Sequence, residues 1–172
     1  MAVLRMREHA PELDLPLVGG GRWRLGEQQP KRFTLMIFYR GLHCPKCHDQ
    51  LNELDGKLAA LDAVGVSSVV AISGDDEARA TRTVQEWELS HVPVAFGLTM
   101  TQAREWGLFV SKGVKEPEPD EFNEPGIFLV RDDGTLYSAH VQSMPFARPH
   151  LDNLIRALGY INENDYPARG EA

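Results

Sequence analysis

Phe33-Thr34-Leu35-Met36-Ile37-Phe38-Tyr39-Arg40-Gly41-Leu42-His43-Cys44-Pro45-Lys46-Cys47-His48 is the segment on which the reading of the whole chain turns. Its opening run, Phe33 to Tyr39, is nearly all apolar, β-branched or aromatic, which suits a strand buried on both faces of a parallel sheet. Gly41 breaks that run. A helix is expected from about Cys44 to Val64, because Leu51, Leu54, Leu58 and Leu61 recur at spacings of three and four. Gly65 is a natural stop. Cys44 and Cys47, the only cysteines in the chain, therefore open a helix directly after a buried strand.

Downstream, Val66 to Ser73 reads as a second buried strand, and Gly74-Asp75-Asp76 leads into a helix reaching about Leu89. Val92 to Phe96 is a third strand, and Thr101 to Gly107 a short helix. Residues 111–124 carry two prolines and five acids and read as a long solvated loop, so Glu116, Glu118, Asp120 and Glu121 are expected in water. Gly126 to Arg131 and Thr135 to Val141 flank Asp132-Asp133-Gly134, a strong hairpin signal. A last helix runs from about Pro149 to Leu158, and residues 160–172 are expected to form a disordered tail. Upstream, residues 1–30 form an N-terminal extension of short strands and turns, with Gly19-Gly20-Gly21 as a turn rather than a phosphate loop. The order is that of an α/β protein with a mixed central sheet flanked by helices. Long crossovers fit parallel neighbours, and the short turn fits an antiparallel pair.

At 172 residues, 1–172 is expected to form a single domain. A net charge of −7 and a pI near 5.3 argue against nucleic acid or anionic membranes as partners. No run approaches the roughly 18 apolar residues of a membrane span. The first residues lack the apolar core of a secretory signal, so a cytoplasmic location is expected. Two cysteines are too few for a disulfide-stapled scaffold.

At a helix N-terminus, free N–H groups and partial positive charge stabilise a thiolate. Two sulfurs one turn apart can close a disulfide, so one thiol can attack and the other resolve. Competing readings are a purely structural pair and a metal site. His43 and His48 flank the pair, but four convergent ligands are wanted for structural zinc and no second Cys or His pair has suitable spacing. No metal or cofactor is therefore expected. Lys46 is read as pointing into solvent, and no Ser-His-Asp motif is present.

With these residues in view, the chain resembles the thioredoxin-fold suprafamily, and more narrowly its peroxiredoxin-like AhpC/TSA branch. The likeness rests on FYRGLHCPKCH, on the extension PELDLPLVGGGRWRL, and on Trp106-Gly107-Leu108 after the third strand, and it spans about Pro11 to Leu158. Two registrations follow. Aligned with thioredoxin, Cys44 is the attacking thiol and Cys47 the resolving one. Aligned with peroxiredoxins, Cys47 takes the peroxidatic position and Cys44 replaces a threonine.

The chain departs from the peroxiredoxin pattern at three places. Arg40 replaces a proline, Cys44 replaces the threonine, and Asn123-Glu124-Pro125 stands where an arginine is expected. Arg40 is the candidate to supply that missing charge. His43 is a candidate to share a proton with its neighbouring thiol. Pro125 is a candidate for the cis-proline that thioredoxin-like proteins set against the dithiol.

The resemblance implies reduction of hydroperoxides through a cycling dithiol. Disulfide reduction or isomerisation, and a non-enzymatic redox sensor, are the alternatives. Implied partners are a hydroperoxide or disulfide substrate, an external thioredoxin- or glutathione-like thiol reductant, and a second copy in a homodimer.

Overall fold

The computed structural model describes residues 4–172. Its centre is strand β3, Phe33–Phe38, in which all six residues are buried. A strand buried on both faces needs covering layers and strand partners on both sides. Here β4 (Val66–Ile72) pairs with it in parallel and β8 (Gly126–Arg131) antiparallel. β5 (Val94–Ala95) extends the parallel edge and β9 (Leu136–Val141) the antiparallel edge, giving the order β5-β4-β3-β8-β9. The Asp132-Asp133-Gly134 turn joins β8 to β9 as expected; Asp133 Oδ1 accepts from the Thr135 N–H at 2.9 Å, and Gly134 takes φ +81.

The N-terminal residues form a hairpin of β1 (Asp14–Pro16) and β2 (Arg22–Arg24), turned by three glycines at positive φ. Val18 donates to the Val94 carbonyl at 2.9 Å, so this extension covers the open side of β5.

The helix expected over Cys44 to Val64 is two helices, α1 (Pro45–Asp55) and α2 (Leu58–Ala63). The leucine spacing continues through the break, but Gly56 and Lys57 do not continue the helix. Instead their N–H groups close off the end of α1, Lys57 donating to the Leu54 carbonyl at 2.9 Å. Leu51, Leu54 and Leu61 are nonetheless fully buried. Truncating any one to alanine costs about 2–5 kcal/mol. α3 (Glu77–Glu86) and α4 (Met100–Glu105) start on the side-chain caps Asp76 and Thr99.

Two further expectations are corrected. The segment 111–124 is not all loop: β6 (Val110–Lys112) and β7 (Glu121–Asn123) pair antiparallel. Alternation is too short there to outweigh the acids and prolines in a reading by pattern. Residues 160–172 are not a disordered tail. Helix α5 (Leu151–Asn164) continues to Asn164, Tyr166 accepts a hydrogen bond from the Tyr137 hydroxyl at 2.8 Å, and Ala168 is buried. Arg7 donates to the Ala168 carbonyl at 3.1 Å, tying the tail to the N-terminal residues.

Candidate active site

The dithiol sits where β3 ends and α1 begins. Gly41 turns the chain at φ +122, and a Cβ there would lie 2.7 Å from an Asp75 carboxylate oxygen. That carboxylate, itself buried, accepts from the Leu42 N–H at 2.8 Å and from Arg79 Nε at 2.9 Å. The turn before the cysteines is thus pinned to the start of α3. Asn123 adds a second clamp, donating to the Tyr39 carbonyl at 3.0 Å and accepting from the Gly74 N–H. Pro45 takes the first helical position, where its missing N–H costs nothing.

Cys44 is the N-cap of α1, and its sulfur accepts from the Cys47 N–H at 3.3 Å. The Cys47 sulfur accepts from the Arg40 N–H at 3.4 Å. Both cysteines are buried and reduced. The two thiols are linked, so one anion forms first. We place it on Cys44: the hydrogen bond from the Cys47 thiol, the Cys47 N–H and the charge of Arg148 together pull its pKa down to about 6, against the opposing effect of burial. Burial, and its bond to Cys44, push Cys47 upward.

Arg148 is the component that sequence reasoning missed. Its Nη2 lies 3.1 Å from the Cys47 sulfur and 3.6 Å from that of Cys44. Nη1 donates to Gln50 Oε1 at 2.6 Å, and Nε to the Pro145 carbonyl at 2.8 Å. Gln50 stands one helical turn beyond Cys47 and is itself buried. Arg148 comes from residues 142–150, a strap between β9 and α5 that lies against α1. One signal in the sequence pointed there: it is the only lysine or arginine between Arg131 and Arg156.

The supporting residues expected from sequence fare differently. Arg40 does not bring its guanidinium to the sulfurs, and its charge acts on Cys44 from further off and less than that of Arg148. Its guanidinium pairs with Glu124 at 3.1 Å and Glu118 at 3.7 Å and lies 4.7 Å over the Phe122 ring. Glu118 is accordingly no solvated loop acid; its side chain is 6% exposed. The Val114 N–H, and then Arg40, hold its carboxyl below the usual range.

His43 hydrogen-bonds to neither sulfur. Its ring packs on Phe122 at 4.7 Å and Nδ1 faces Arg79 at 3.4 Å. Burial and the charges of Arg40 and Arg79 lower its pKa to about 4, so it is neutral at pH 7. His48 turns instead to the Trp87 ring at 5.4 Å, so the two flanking histidines diverge. Pro125 is not a cis-proline, since among the described residues the one cis peptide joins Glu116 to Pro117. Its carbonyl accepts from the Gln142 N–H at 3.1 Å and so anchors the start of the strap.

Such a site can present one activated thiolate beside a second thiol and a guanidinium. The model of the AhpC/TSA family matches residues 6–139. A search of curated proteins by sequence finds no match. Among solved structures, the chain is similar to the peroxidoxin BcpB of Mycobacterium tuberculosis, at TM-score 0.73 and 18% identity, covering 92% of this chain and 99% of that one. A peroxiredoxin-like protein from Aquifex aeolicus gives TM-score 0.74 at 16% identity, covering 94% and 90%. Reduced Prx3 from Vibrio vulnificus, solved with hydrogen peroxide, gives 0.76 at 12% identity, covering 91% and 99%. These likenesses bear on the fold, which is the thioredoxin-like fold of the peroxiredoxins.

Proposed function

The chain belongs to the AhpC/TSA family, a family of thiol-dependent peroxidases, and on that premise we propose that Cys44 is the attacking thiolate and Cys47 the resolving thiol. The observation that carries this reading is the N-cap sulfur of Cys44, which accepts from the Cys47 N–H at 3.3 Å. The Cys44 thiolate attacks one oxygen of a hydroperoxide, the O–O bond breaks, and the leaving oxygen takes a proton to depart as water or an alcohol. Cys44 is left as a sulfenic acid. The Cys47 thiol condenses with it, expelling water and forming the Cys44–Cys47 disulfide. Arg148, in reach of both sulfurs, stabilises the thiolate and the charge that develops on the departing oxygen. An external thiol then restores the dithiol. We place this cycle in the cytoplasm, with a homodimer as the expected assembly.

A second reading has its own support. Arg148 is nearer to Cys47 than to Cys44, and the peroxiredoxin registration puts Cys47 in the lead. Trapping of sulfenic acid separates the two. After one equivalent of peroxide, Cys47→Ser should accumulate a sulfenic acid and Cys44→Ser should not. The opposite result reverses the roles, and no sulfenic acid in either variant, with wild type inert to peroxide, removes the peroxidase reading.

A further inference from the structure

A cavity of about 340 Å³ lies between the first turns of α1 and the strap. Its helix wall is Lys46, Asp49, Gln50 and Glu53, and its strap wall includes Phe146 and Arg148. The volume is that of a small-ligand pocket. We propose that it binds a small zwitterionic peptide thiol that reduces the Cys44–Cys47 disulfide, an inference that takes the disulfide of the proposed cycle as its substrate.

Two observations lead there. Gln50 is 7% exposed, its Oε1 is held by Arg148, and its Nε2 is buried without a partner. A buried donor of that kind wants an acceptor oxygen, which a carboxylate or peptide carbonyl provides. The wall also carries both signs of charge in solvent-accessible ion pairs, Lys46 with Asp49 at 3.6 Å and Glu53 with Lys57 at 2.8 Å, and a zwitterion can exchange into them, its carboxylate to Lys46 and its ammonium to Asp49 and Glu53. A ligand of a single charge can replace only one side of such a pair, and an apolar one neither. Arg148 is the partition between cavity and sulfurs, so a thiolate arriving there meets the guanidinium first. With the sulfurs no more than 1% exposed, a small thiol has the shorter path than a folded protein.

The chemistry balances with two thiols. The first thiolate bonds to the Cys44 sulfur as the Cys44–Cys47 bond breaks, and Cys47 leaves as a thiolate beside Arg148, then takes a proton. The second thiolate attacks the ligand sulfur of the mixed disulfide and releases Cys44. The protein gains two electrons, and the ligand departs as its own disulfide.

The test forms the disulfide with diamide, so it does not depend on reactivity toward peroxide. Reduction is then followed with glutathione and with 2-mercaptoethanol at matched thiolate concentration. Glutathione should react faster by about tenfold, the equivalent of one recovered charged hydrogen bond, and should saturate. The double variant Asp49→Asn, Glu53→Gln should lose that advantage while keeping the 2-mercaptoethanol rate and peroxide oxidation of the reduced protein. Equal rates for the two thiols, an advantage that survives the double variant, or reduction by thioredoxin alone would each overturn the proposal. Any of these leaves the peroxidase reading untouched, and a protein inert to peroxide leaves this test intact.

Discussion

Arg40 and Arg148 are both close to the dithiol, yet they are different kinds of arginine. Arg40 is four residues from Cys44 in sequence, and its side chain faces Glu124, whose carboxylate is 4% exposed, and Glu118. Arg148 lies more than a hundred residues further on and meets neutral partners, the Gln50 amide and the Pro145 carbonyl, before it meets sulfur. A cation already neutralised by carboxylates holds structure together; one left without a carboxylate has its charge available for a thiolate. Nearness in sequence chose the first, and electrostatics chooses the second.

This contrast can be broken by exchange. Arg40→Met should destabilise the fold by about 3–5 kcal/mol in urea unfolding, because it strands a buried carboxylate. Adding Glu124→Gln, which keeps the bond from Ser111, should recover most of the loss. In both variants the folded protein should still oxidise at close to the wild-type rate. If Arg40→Met instead slows oxidation without loss of stability, the division of labour is wrong.

Arg148→Met should do the reverse, lowering the second-order rate of oxidation by about 10²-fold in stopped flow with little change in stability. Gln50→Leu removes only the group that orients Arg148, and about a tenfold loss is expected in the same assay. The mildest probe is pH. With the Cys44 pKa near 6, the thiolate is lost as pH falls through that value, so the rate should be half-maximal near pH 6 and flat above pH 7. In Arg148→Met the midpoint should move upward; an unmoved midpoint would mean that the guanidinium does not act on the thiolate.

The same contrast explains what was legible beforehand. FTLMIFY announces β3 because an uninterrupted apolar run has few other homes, and Asp132-Asp133-Gly134 announces its hairpin because the turn demands φ > 0. The cysteine pair was legible for the same local reason. The break at Gly56-Lys57 was hidden by leucines that keep their spacing across it. Arg148 was out of reach because its position depends on β8 pairing with β3, on β9 pairing with β8, and on the strap folding back over α1. It also lies beyond residues 6–139, the part of the chain that carries the family pattern. Arg40 misled for the complementary reason: its neighbours Glu118 and Glu124 come from the segments on either side of β7, and sequence alone read Glu118 as solvated.

The strap has a consequence for the life of the chain before it is folded. An unfolded chain carries two ordinary thiols, mostly protonated at neutral pH. Formation of α1 gives Cys44 the Cys47 thiol and N–H, and only when the last hairpin and α5 are in place does the guanidinium of Arg148 complete the set. Susceptibility to oxidation is therefore a late product of folding, and a newly made chain is shielded from the very reagent it is built to consume.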